Sequence, residues 1–289
     1  MSDVCKNWSQ WLKATRFSYM DEVQVSQTLN WLGAVRDVVL ENAQIQPDDT
    51  VIDLGTGTGL LAFGTIDKLN ESGKVIFSDK FEDCLIECNK LLDTLEVKPN
   101  YEFLLSECEN IKLPKESVDK VLMRSVLVHI IDKQAVMDQI HRILKPNGIY
   151  SAFEPIIKSN TRYYELINPA NISDYNDFKN AEMEFMSSPD DPLTNFDEKT
   201  LEENLKNAGF NDVLVDVQSA ESTYVVQPNA VDTWFSAPPS PGAPTMKEKF
   251  LKYFDEQKVN NYIQEVKEDL AGKQITVKAN TVFIKAIKN

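Results

Sequence analysis

The strongest constraint on this chain is the run Thr50-Val51-Ile52-Asp53-Leu54-Gly55-Thr56-Gly57-Thr58-Gly59-Leu60-Leu61. Its first half is apolar and β-branched, the pattern of a strand buried on both faces. Glycines at every second position then make a turn, and Leu60-Leu61-Ala62-Phe63 opens a helix. Strand, bare turn and helix together present backbone N–H groups and the positive end of a helix to a ligand. A side chain on the turn would hold the backbone away from a ribose or phosphate. The dinucleotide fingerprint requires a further glycine three residues after its second one, and Leu60 occupies that place. The spacing is therefore Gly-x-Gly-x-Gly, with Asp53 two residues ahead of it.

Around this run the chain alternates. Trp8, Trp11 and Leu12 share one side of a short helix over 4–14, and Val25, Leu29, Leu32, Val35, Val39 and Ala43 mark a long amphipathic helix ending near 44. After the glycine turn comes a helix to about Leu69. Strand two runs from Lys74 to Ser78 and ends in Asp79-Lys80, and a helix follows over 81–95. Tyr101–Leu105 reads as strand three and Val118–Met123 as strand four. A helix over 132–144 is stopped by Lys145-Pro146-Asn147-Gly148, and strand five covers 149–153. Val213–Val217 and Ile275–Ile287 supply strands six and seven. Alternation at this spacing predicts an α/β fold: a doubly wound, mostly parallel, seven-stranded sheet with N-terminal helices and helical insertions.

The expected organisation has four parts. Residues 1–44 form an N-terminal helical lid and 45–155 a Rossmann-like core. Residues 156–195 are an aromatic-rich insertion, read as a substrate lid or as a packed decoration. Residues 196–289 complete the sheet around a helical insertion over 229–272.

Net charge narrows the partners. The formal value is −15, and residues 151–270 carry 22 acidic against 10 basic side chains. Such a surface repels phosphate backbones and argues against nucleic acid as substrate. No window supplies a membrane span, and the first residues lack the regions of a secretory signal, so the cytoplasm is the default expectation. Cys5, Cys84, Cys88 and Cys108 show no zinc-ligand spacing; buried free thiols and no metal are expected.

Placed on these elements, the motifs converge on the carboxyl ends of the strands, where open α/β sheets bind ligands. The glycine turn follows strand one, Asp79 ends strand two, and Glu107-Cys108 follows strand three. Arg124-Ser125 through His129 follows strand four, Lys145-Pro146-Asn147-Gly148 precedes strand five, and Ala208-Gly209-Phe210 precedes strand six. In this order they resemble the landmarks of class I S-adenosylmethionine (SAM)-dependent methyltransferases, in the style of the ubiquinone/menaquinone and arsenite groups. Asn147 and Glu107 depart from the commoner residues of that pattern.

The resemblance implies SAM as cofactor, held by Asp53, Gly55, Thr56, Gly57, Gly59, Asp79, Lys80, Glu107, Cys108, Arg124 and Ser125. Asp79 would take the ribose hydroxyls, and Glu107-Cys108 would flank the adenine. His129, Arg124 and Tyr19 are the candidates for facing the acceptor, with His129 either a general base, a contact, or a satisfied residue beside the sheet. The acceptor is expected to be a small molecule, methylated by in-line displacement. An NAD-type oxidoreductase and a SAM-binding protein without turnover are the alternatives. An arsenite-type reaction needs converging thiolates, which the cysteine positions do not provide.

Overall fold

The computed structural model describes residues 8–18, 20–95 and 99–289. Tyr19, a candidate for the acceptor side, and Cys5 lie outside the described residues.

Helix α1 spans Trp8–Lys13 and α2 spans Glu22–Ala43. Asp21 starts α2 with a reciprocal cap: its carboxylate accepts from the Gln24 N–H, while its own N–H donates to the Gln24 side chain. Strand β1 (Thr50–Leu54) leads through the glycine turn into α3 (Leu60–Ile66). Then follow β2 (Lys74–Asp79), α4 (Glu82–Leu92), β3 (Asn100–Leu105), β4 (Val118–Arg124), α5 (Lys133–Ile143) and β5 (Leu144–Pro155). The remaining elements are α6 (Tyr163–Leu166), α7 (Tyr175–Phe185), α8 (Glu198–Asn207), β6 (Asp212–Val225), α9 (Ala230–Ser236), α10 (Met246–Phe250), α11 (Glu256–Leu270) and β7 (Gln274–Ile287).

One seven-stranded sheet has the order β3-β2-β1-β4-β5-β7-β6. Strands β1 to β5 pair in parallel, and β7 runs antiparallel to β5. The order reverses between β1 and β4, which opens a crevice at the carboxyl ends of those two strands. Val51, Val75, Phe77, Leu122 and Phe153 from the strands join Val39, Leu61 and Leu92 from the helices in one core. The doubly wound, mostly parallel sheet expected from the sequence is the one observed.

The backbone forms two compact units. The first comprises 1–155, 198–217 and 281–289, and the second comprises 156–197 and 218–280. The second unit has its own aromatic core, in which Phe178 and Tyr262 stack with ring centroids 3.8 Å apart and Phe235 and Phe250 pack alongside.

Element limits depart from the sequence reading where local capping or edge position decides. Within the helical insertion expected over 229–272, α10 and α11 are separate helices, because Asp255 accepts a hydrogen bond from the Lys258 N–H and starts α11 afresh. Strand β6 continues to Val225, well past 217; it lies at the sheet edge, where the ladder rather than apolar burial maintains it, so alternation gives no signal. Asn147 sits at φ 63° inside an irregular start of β5, the left-handed position that Asn tolerates.

Candidate functional site

Three carboxylates shape the carboxyl-end crevice of the first unit, and each is tied to backbone rather than to a cation. Asp53 is buried on β1. Its Oδ2 accepts from the Thr56 hydroxyl (2.8 Å) and from the Ala62 N–H (3.0 Å), so it ties the glycine turn to the first turn of α3. Burial pushes its carboxyl from 3.8 up to about 7 against these hydrogen bonds and the Arg124 charge.

Asp79, buried at the end of β2, accepts from the Gly57 N–H and the Phe81 N–H, both at 2.9 Å. Burial again raises its pKa, with the same hydrogen bonds opposing. Each oxygen keeps a second lone pair for a hydroxyl of a ligand. The glycines are needed here. Gly55, Gly57 and Gly59 all have positive φ. A Cβ on Gly55 would lie 2.5 Å from a Val126 methyl, and one on Gly57 would lie 2.9 Å from Leu12 Cδ1.

Glu154, fully buried near the end of β5, was not among the residues picked out from the sequence. Its Oε1 accepts from the Val126 N–H (2.8 Å) and the Leu127 N–H (3.0 Å). Burial lifts its carboxyl to about 7, while those bonds and Arg124 pull it down. The signal that could have found it is the one that found Asp79: an acid at the carboxyl end of a parallel strand.

Arg124 ends β4 between these groups, where Glu154 and Asp53 hold its charge and burial opposes it. Its nearest hydrogen-bond partner is the Ser125 hydroxyl at 3.5 Å. Ser125 itself stands at φ 54°.

Helix α1 packs over this crevice. Trp8 stacks on Phe81 at 4.9 Å and meets His129 edge-on at 5.1 Å. The Ser9 N–H donates to Asp83 at 2.7 Å, and Lys13 pairs with Glu87, which fastens α1 to α4. Burial, with Lys80 and Lys133 nearby, lowers His129 to about 4, so the imidazole is neutral at pH 7 and a weak base. His141 lies elsewhere, packed edge-on against Phe210 and beside Gly209.

Among the remaining sequence candidates, Thr56 is buried under the turn and Lys80 is exposed, its ammonium over the Phe81 ring. Glu107 is exposed and Cys108 buried in an ordered turn, with the Ser106 N–H donating to the Asp79 carbonyl. The structure thus gathers Asp53, the three glycines, Asp79, Arg124, Ser125 and His129 around one crevice. Burial raises the Cys84, Cys88 and Cys108 thiols, Cys88 to about 12, so none is a thiolate at neutral pH. Among the described residues no group of three or more His, Cys, Asp or Glu could hold a metal, and no helix is long and apolar enough to cross a membrane.

A glycine turn after β1, an acid after β2 and this strand order define the class I methyltransferase architecture. The chain belongs to the methyltransferase-domain family, whose model matches residues 45–200. It is 28% identical over 124 residues to the ubiquinone/menaquinone biosynthesis C-methyltransferase of Escherichia coli, a match covering 42% of this chain and 49% of the relative. The chain therefore spans about half the length of the curated relatives it matches. Among solved structures, the YcgJ protein of Bacillus subtilis aligns with a TM-score of 0.57 at 16% identity, over 89% of this chain and 98% of that one. A phosphoethanolamine N-methyltransferase of Haemonchus contortus, solved with phosphomonomethylethanolamine and S-adenosylhomocysteine, aligns with a TM-score of 0.50 at 18% identity. That match covers 88% of this chain and 52% of the other.

The electrostatics give a test. A carboxyl raised in the folded state favours the native fold while protonated, so its contribution is full below the ordinary pKa and is lost as pH rises through the raised one. For Asp53 that window runs from 3.8 to about 7. Asp53→Asn keeps an acceptor for Thr56 and Ala62 but cannot ionise. Its thermal midpoint should decline less between pH 5 and pH 8 than that of the wild type, and parallel profiles would remove Asp53 from the linkage.

Proposed function

We propose that the protein methylates a small-molecule acceptor in the crevice beneath α1, by in-line displacement from SAM. The observation that carries this reading is the roofed glycine turn: Leu12 lies over Gly57, while Trp8, Phe81 and His129 form an aromatic wall beside it. A roofed crevice suits a compact acceptor better than a polymer, and the acidic surface points the same way. The relatives' names agree, one referring to ubiquinone and menaquinone biosynthesis and the other structure holding phosphomonomethylethanolamine.

The residues present fit the cofactor. Gly57 leaves backbone bare where a side chain would intrude, and Asp79 stands beside it with lone pairs for two ribose hydroxyls. Glu107 and Cys108 would border the adenine, with Lys80 at the rim, and Thr56, Arg124 and Ser125 would complete the binding set. SAM supplies a methyl group on a sulfonium, an already activated leaving group. The chain's own residues then have to orient the acceptor, exclude water and hold the reacting atoms in line. Arg124 offers a buried cation for an anionic group of cofactor or acceptor. His129, neutral at pH 7, suits a hydrogen-bonding contact better than a strong base. Tyr19 remains a proposed acceptor contact on its position in the sequence alone.

Turnover is tested with methyl-labelled SAM and a cell extract separated by size. Label should enter the low-molecular-mass fraction; label only in nucleic acid or protein would overturn the small-molecule reading, and none in any fraction would favour binding without turnover. Asp79→Ala should weaken SAM binding by about 1.5–3 kcal/mol by calorimetry, the usual worth of hydrogen bonds to a charged group. Unchanged affinity would refute the ribose assignment. If α1 acts as a lid, hydrogen exchange should show added protection at residues 8–20 when SAM is bound. Protection confined to 53–60, 79 and 107–108 would reduce α1 to a fixed packing element.

A further inference from the structure

The turn after β4 is held in a conformation that its own sequence does not favour. Ser125, at φ 54°, is in the left-handed region, which is costly for an L-residue with a side chain and persists where surroundings impose it. Two anchors impose it. The Ser125 N–H donates to the Phe153 carbonyl at 2.8 Å, and the next two N–H groups, of Val126 and Leu127, both donate to Glu154 Oε1.

What the turn carries gives these anchors their consequence. The Val126 methyls lie 2.5 and 3.0 Å from where a Cβ of Gly55 would be, so this side chain is the wall against which the glycine turn rests. Leu127 and Val128 are buried, and His129, two residues past Leu127, meets Trp8 of α1. One oxygen of one carboxylate therefore sets the backbone from which both the glycine turn and the acceptor-side imidazole take their positions. A core that needed only packing here would use an apolar side chain, because burying a carboxylate is costly without such bonds.

We propose that Glu154 is a positioning residue of the methyl-transfer site: by holding the Val126 and Leu127 amides it fixes the turn that seats the glycine loop and His129, and thereby sets affinity for the donor. The proposal rests on the reading that the glycine turn binds SAM.

The test uses the full chain carrying E154A, E154Q or E154D. SAM affinity is measured by calorimetry, and amide exchange is followed at residues 125–129. E154A should bind SAM at least roughly tenfold more weakly, as expected for losing two hydrogen bonds to a charged acceptor, with faster exchange at Val126 and Leu127 in a protein still folded by circular dichroism. E154Q, which keeps an oxygen for both amides, should restore most of the affinity and protection. A residue with only a fold-stabilising role would lower the melting temperature and leave donor affinity of the folded protein unchanged, and that result overturns the proposal. Affinity lost without any change in exchange at 126–127 overturns it too. Should E154A not fold, E154D decides: its carboxylate is withdrawn by one methylene, so wild-type affinity alongside loosened amides is the refuting result. Wild-type protein that does not bind SAM overturns the donor reading itself and this proposal with it. Wild-type binding that E154A leaves intact overturns the proposal alone.

Discussion

A carboxylate cut off from water must find N–H groups, and this requirement organises one end of the sheet. Asp53, Asp79 and Glu154 sit on three different strands, and each accepts from backbone or hydroxyl donors of the turn beside it. The acids act as pins. Asp53 joins the glycine turn to α3, Asp79 joins that turn to the start of α4, and Glu154 joins β5 to the turn after β4. Val126 against Gly55 closes the chain of contacts. Loops that would otherwise be the softest parts of an α/β fold are thereby fixed at the place where ligand geometry matters most.

The same constraint explains the unusual backbone. Three glycines and Ser125 all adopt positive φ within this region. Each such residue bends the chain sharply so that N–H groups point inward, and the acids supply the free energy that keeps the bends occupied. Arg124 balances two of these acids without a short ion pair to either, which leaves its guanidinium donors available.

Much of this was legible in the sequence, for identifiable reasons. β1 to β5 announce themselves because strands buried on both faces need continuous apolar runs, and the glycine turn because no other residue serves there. Asp79 was legible from its place at a strand end. Glu154 occupies an equivalent place, yet Glu154-Pro155 reads as an ordinary strand exit until the amides of Val126 and Leu127 are seen converging on it. The partnership of Trp8 with Phe81 and His129 joins residues far apart in the chain, and no periodicity reports on that. The full length of β6 was hidden for a different reason: an edge strand is maintained by its ladder, which any polar sequence can form.

The Gly57 N–H is bonded to Asp79, and Leu12 lies over the bare backbone that a donor would approach. On the proposed reading, a donor would exchange the Leu12 contact for its own while its hydroxyls met the free lone pairs of Asp79. Such an exchange has a kinetic signature. If α1 is the lid proposed above, entry waits on its lifting, and the association rate would level off at the opening rate as donor concentration rises. On that proposal the demethylated cofactor would leave by the same gate, and the pace of repeated cycles would fall to a six-residue helix fastened through Ser9 and Lys13.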